Sequence, residues 1–188
     1  MLTTVKKQGD FFMFDIEFNF NGNGKNVKTL TRLALVAAMY VATTLAVPAL
    51  AYDAIQFRFS EILVLLCFYR KDYSVALILG CFIANLFSPF GWYDLVFGVA
   101  ATVLAVLPMY YFKNIFLAAL LPVVTNGVLV GIELSLIGEP LWFSMVTVAL
   151  GELAVMIAGA VIFKFVFEKN APLMKLIGST RNAQKTAL

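Results

Sequence analysis

The chain contains no histidine, and only 13% of its 188 residues are Asp, Glu, Lys or Arg. Without histidine there is no imidazole acid–base chemistry, no histidine-ligated haem and none of the usual zinc ligand sets. Cysteine is equally scarce: Cys67 and Cys81 stand alone inside apolar runs with no CxxC spacing. Both read as small buried hydrophobes, which leaves the redox compartment open. No GxxxxGK[ST] occurs, since Gly22-Asn23-Gly24-Lys25-Asn26 lacks both the spacing and the hydroxyl. The chain therefore has no phosphate-cradling loop of its own with which to hydrolyse ATP. A Ser/His or Cys/His nucleophile pair is impossible. We accordingly expect no catalytic residues, no metal site and no cofactor.

Apolar surface is what the chain has in excess, with 62% hydrophobic residues and a mean hydropathy of +0.90. That is too apolar for an ordinary soluble core and points to a single-domain polytopic membrane protein. The apolar runs lack the alternation of a transmembrane barrel, so helices must satisfy the spanning backbone. The expected fold is an all-α integral membrane protein with six transmembrane helices and both termini cytoplasmic. The helices are placed near 30–51, 60–69, 73–87, 94–112 (bent at Pro108), 115–137 and 141–167. The second and third are too short to span comfortably at about 1.5 Å per residue. Part of the bilayer depth there must be lined by loop or by water, which leaves room for a funnel.

Residues 28–168 form the expected membrane domain, flanked by an N-terminal extension (1–27) and a basic tail (169–188). In the extension, Phe12, Phe14, Ile16, Phe18 and Phe20 alternate with polar or non-aromatic neighbours, a pattern for a short strand or an unordered extension. Lys25, Lys28 and Arg32, an apolar run and Ala49-Leu50-Ala51 imitate a secretory signal. The long leader and span-length run favour a retained helix over cleavage. Basic residues fall on one side of a six-helix topology: Arg70 and Lys71, Lys113, then Lys164, Lys169, Lys175, Arg181 and Lys185. By the positive-inside rule that side is the cytoplasm of a plasma-membrane protein, and the net charge of +3 is a topology signal that gives no argument for nucleic acid. Arg58 alone among the basic residues falls outside, with Asp53, Glu61, Asp94, Glu133 and Glu139. Such an acidic mouth favours cationic or donor-rich ligands.

Polar residues inside a membrane are costly and call for a reason. The candidates for substrate binding are Arg58, Glu61, Asn85, Trp92, Asp94, Asn126, Glu133 and Glu152. Arg58 and Glu61, three apart, would share a helix face and could pair. Trp92 and Tyr93 serve either as interfacial anchors or as a stacking platform for a flat heterocycle. Asp94, Gly98 and Thr102 lie one turn apart, and Asn126 and Glu133 share a face. Asn126 and Glu152 either clasp each other or point into a pocket, where two carboxylate oxygens would match the paired N–H donors of a guanine edge. In the first helix Ala34, Ala38, Ala42 and Ala46 recur at every fourth position with Ala37 beside them. This side-chain-poor stripe suits internal packing or docking of another subunit.

From Leu30 to Phe167 the chain resembles the queuosine-precursor transporter (QueT) type of S component of energy-coupling factor transporters. The resemblance rests on Gln56-Phe57-Arg58-Phe59-Ser60-Glu61, Gly80 with Ala84-Asn85, and Asp94-Leu95-Val96-Phe97-Gly98 leading to Ala101-Thr102. Asn126 with Gly131 and Glu133, and Gly151-Glu152, complete it. The connection Arg70-Lys71-Asp72 departs from the proline-rich link expected there, and residues 1–27 have no counterpart. The resemblance implies a six-helix, non-catalytic binding subunit for a 7-deazaguanine in cyano or aminomethyl form. It also implies that an alanine-rich first helix docks on a transmembrane coupling subunit driven by two ATP-binding subunits. The S component then topples in the bilayer to carry its ligand inward.

Overall fold

The computed structural model describes residues 24–47 and 57–179, and all of its regular structure is helical. Helix α1 is Gly24–Ala46. Helix α2, Phe59–Tyr69, opens with seven residues of 3-10 helix and closes with one α turn from Leu66 to Tyr69. Next come α3 (Tyr73–Asn85), α4 (Trp92–Met109) and α5 (Ile115–Leu136). Helix α6 runs from Leu141 to Phe167 with a π-helical last turn, and a short α7 (Ala171–Leu176) follows it. Four helices (α1, α4, α5 and α6) are long and apolar enough to cross a membrane, whereas α2 and α3 are shorter. The expected strand over Phe12–Phe20, the Ala49-Leu50-Ala51 signal-like site, Gln56, Asp53, Arg181 and Lys185 lie outside the described residues.

The packing closes a ring in the order α1, α3, α4, α5, α6, with α2 between α6 and α1 and in contact with all five. That central position explains α2's composition: from Val64 to Tyr69 every side chain is buried. A helix surrounded by helices has no lipid-facing stripe and can be apolar all round. Close approach elsewhere rests on missing side chains. A Cβ on Gly131 would fall 2.8 Å from the Met145 Cα, and one on Gly127 would fall 2.9 Å from the Ala149 Cβ. Gly127-Val-Leu-Val-Gly131 is thus a small-xxx-small seam that lets the α6 backbone seat on α5.

Burial is inverted relative to a soluble protein. Large apolar side chains line the outside of the bundle, among them Leu104, Leu117, Val124, Leu150, Ile157 and Phe165, while acids and amides sit within. The distribution suits a hydrocarbon solvent. Trp92 and Trp142 are exposed at one end of the ring, and Lys71 lies over the rings of Tyr110 and Tyr111 at the other. Aromatic residues at both ends mark the two interfaces.

Several boundaries differ from expectation for physical reasons. Helix α1 starts at Gly24 where the sequence suggested Leu30, because apolarity marks the span whereas a helix continues into water on polar residues such as Lys28. Helix α3 stops at Asn85, not Phe87, because the chain turns at Leu86-Phe87 to bring Asn85 against the start of α4. Helix α4 ends at Met109, not Phe112, so Pro108 falls in its last turn, where the missing amide donor removes one helical hydrogen bond.

Candidate functional site

The large apolar core gathers the lower parts of α1, α2 and α3 with Met109, Ile115, Met156, Ala160 and Phe163, at the end bearing Arg70 and Lys71. A smaller cluster of Val130, Leu134 and Val148, with Phe90 against it, lies toward the tryptophan end. The buried polar residues Arg58, Ser60, Glu61, Asn85, Asp94, Asn126, Glu133, Ser144 and Glu152 form a layer of their own. They come from the ends of α2, α3 and α4 and from the middle and upper turns of α5 and α6.

The α3–α4 corner is tightly specified. Gly91 precedes α4 at φ +62° and ψ −126°, a conformation essentially reserved for glycine. This sharp turn swings Asp94 back over the end of α3. Asn85 donates from Nδ2 to the Asp94 backbone carbonyl at 2.9 Å, and Ser88 donates its hydroxyl to Asp94 Oδ2. The Ser88 oxygen also accepts from the Phe90 amide at 3.1 Å. Below them Thr102 donates to the Gly98 carbonyl at 3.0 Å and contacts Cys81 Sγ at 3.2 Å. Gly98 is part of the construction, because a Cβ there would come within 2.6 Å of the Asn85 amide nitrogen. The expected alignment of Asp94, Gly98 and Thr102 therefore has a use: it makes the face on which Asn85 sits.

Arg58 stands just before α2 in a non-helical conformation (φ −86°, ψ 88°), and it remains a charged neighbour of Glu61, as the spacing suggested. Its guanidinium reaches Asp94, with Nη2 3.8 Å from Oδ1. Glu61 also accepts a hydrogen bond from the hydroxyl of Tyr40 on α1. One turn further along α1, Thr44 donates to Ser60 Oγ at 2.7 Å. Sequence reasoning missed Tyr40, Thr44 and Ser60. The available signal was the run Leu33, Val36, Ala37, Tyr40 and Thr44, a buried helical stripe that turns polar near its end.

Glu152 on α6 has Asn126 of α5 as a side-chain contact and Glu61 and Arg58 as charged neighbours. Clasp and pocket are therefore compatible: Asn126 holds the carboxylate, yet Glu152 Oε1 is buried with no hydrogen-bond partner among the described residues. Glu133, wholly buried, sits with Asp94 and Arg58 as its charged neighbours. Neither of its oxygens has a hydrogen-bond partner among the described residues, and Asp94 Oδ1 has none either. In all, four carboxylates share the layer with a single buried guanidinium.

Such an excess costs several kcal/mol per uncompensated ion, far more than folding requires for its own sake. Seven of the eight expected binding residues enter the layer. Trp92 does not: it is 62% exposed and stacks on Tyr93 with ring centroids 4.1 Å apart. On α1, Ala34, Ala38 and Ala42 face outward, whereas Ala37 turns inward against Gly80. No group of three or more His, Cys, Asp or Glu among the described residues is arranged to hold a metal ion.

Residues 30–168, which hold every member of this layer, match the family described as QueT transporter. The chain belongs to the QueT transporter family. It is also 33% identical to a queuosine precursor transporter QueT of Lactococcus lactis subsp. cremoris (strain MG1363), over 71% of this chain and 88% of the relative. No solved structure matches the chain. Membership makes the protein a membrane transporter, not an enzyme.

Proposed function

We propose that the chain is the substrate-binding S component of an energy-coupling factor importer and takes up a 7-deazaguanine queuosine precursor. The observation that carries the reading is the Asn126–Glu152 pair with its unpartnered Oε1. A ring N–H and a neighbouring exocyclic amine present two parallel donors, and a carboxylate beside an amide meets such an edge with acceptors and a donor. The name of the Lactococcus relative supports the same ligand class.

In this proposal all six helices from α1 to α6 cross the membrane, α2 and α3 with help from the loops at the tryptophan end. The end bearing Arg32, Arg70 and Lys71 is cytoplasmic by the positive-inside rule, which places both termini there. Arg32 and Arg70 both lie against Gly178 after α7, so the start of α1 and the end of the described chain share that side. The outward-facing Ala34, Ala38 and Ala42 form the docking stripe for a transmembrane coupling subunit, which two ATP-binding subunits drive. The chain has no phosphate loop, so in this proposal the ATP that drives uptake is hydrolysed by those partners.

Uptake of labelled 7-aminomethyl-7-deazaguanine into cells expressing the chain, with and without the coupling subunit and ATPases, tests the proposal. Accumulation only in their presence is the expected result. Accumulation without them would make the chain a stand-alone carrier, and uptake of riboflavin or thiamine in place of the deazapurine would assign another specificity.

A further inference from the structure

We propose that Asp94 and Glu133 form a subsite for the ligand's protonated primary amine, with Glu133 setting the preference for a cationic over an uncharged substituent. This assignment rests on the transport reading above and adds to it the charge of the preferred substrate.

Three acceptor atoms carry the argument. Glu133 Oε1 and Oε2 and Asp94 Oδ1 are buried and have no hydrogen-bond partner among the described residues. They belong to neighbouring carboxylates that are both fully buried. Asp94's other oxygen is already engaged by Ser88, and its backbone carbonyl by Asn85. The corner is thus held rigidly, and Oδ1, which has Arg58 Nη2 at 3.8 Å, is the oxygen without a hydrogen bond. A primary ammonium has three N–H donors and no acceptor, one donor for each of these oxygens of two carboxyls in side-chain contact.

Other occupants fit less well. A divalent metal ion would need more ligands than two carboxylates supply, and no metal-binding group is formed among the described residues. An anion would meet the repulsion of both acids. A neutral group such as a nitrile has no donor to offer, so it would leave all three oxygens buried without partners. Arg58, 3.8 Å from Asp94, is shared among four buried carboxylates, so acidic charge stays in excess and an alkylammonium would offset part of it. The Asn126–Glu152 pair lies deeper, beside Glu61. The two ends of the site then divide the ligand, with the ring edge at Glu152 and the side-chain amine at Glu133.

The test measures Kd of the purified full chain for 7-aminomethyl-7-deazaguanine and 7-cyano-7-deazaguanine, in the wild type and in Glu133→Gln. The wild type should prefer the amine by roughly tenfold or more, as loss of charged hydrogen bonds implies. Glu133→Gln keeps shape but removes charge, and should weaken the amine selectively until the two ligands agree within about threefold. Equal weakening of both ligands, or no change in either, would overturn the assignment. Should the variant not fold, comparing the amine with its 7-methyl counterpart on the wild type gives the same reading, and equal affinities would overturn it. If the wild type binds none of these bases, the transport reading fails and the Glu133 assignment with it.

Discussion

Replacing Gly98 with alanine should damage the site through Asn85, and the structure gives the size of the effect. The new Cβ would lie 2.6 Å from Asn85 Nδ2, closer than real Cβ contacts come, and 3.8 Å from Asp94 Oδ1. The Asn85 amide must move, which breaks its 2.9 Å bond to the Asp94 carbonyl. Losing a buried hydrogen bond costs about 1–3 kcal/mol, and overpacking adds about 1–3 kcal/mol. Against this, alanine favours the helix over glycine by about 1 kcal/mol. The net expectation is a destabilisation of roughly 1–5 kcal/mol by these terms. A double-mutant cycle in detergent, with unfolding followed by denaturant or heat, isolates the mechanism. In an Asn85→Ala background the clash has no partner, so Gly98→Ala should become neutral or mildly stabilising. The coupling between the two sites should exceed about 1 kcal/mol. Additive effects would refute the reasoning, because they would mean that Gly98 matters for something other than the room it leaves for Asn85.

Two further outcomes are expected. Tyr40→Phe removes the donor to Glu61 and leaves a buried carboxylate oxygen unsatisfied, so unfolding measurements should show a loss of about 1–3 kcal/mol; an unchanged stability would place Glu61 in solvent. Ala38→Leu adds bulk to an outward face of α1. It should leave ligand affinity of the isolated chain unchanged while reducing uptake in cells that hold the partner subunits, and full uptake would remove α1 as the docking face.

Much of this architecture was legible in the sequence because the bilayer imposes simple rules. Helices α5 and α6 follow directly from apolar length, and the buried positions of Asn126 and Glu152 follow from the cost of exposing such groups to lipid, whereas Asp94 and Glu133, expected at an outer mouth, are fully buried. Spacing along the chain could not reveal contacts made across elements. Arg58 and Glu61 are close in sequence and stay charged neighbours, but spacing gave no sign that Arg58 would also meet Asp94 or that Glu61 would accept from Tyr40. Tyr40 itself looked like an ordinary apolar-helix residue, since its hydroxyl has meaning only once α2 lies against α1. The Gly127–Gly131 seam was likewise hidden, because two glycines in an apolar helix become a packing device only when Met145 and Ala149 arrive. Trp92 shows the converse, a residue with binding chemistry that the fold leaves at the rim.

The proposed function requires the buried acids and amides to bind a donor-rich deazapurine. The most direct test is an equilibrium titration of the purified chain, without ATP or partner subunits, against 7-aminomethyl-7-deazaguanine, run in parallel on Glu152→Gln. Saturable binding that falls roughly tenfold or more in the variant is the predicted result. Absence of saturable binding to a folded chain, or equal affinity in the two proteins, would contradict it.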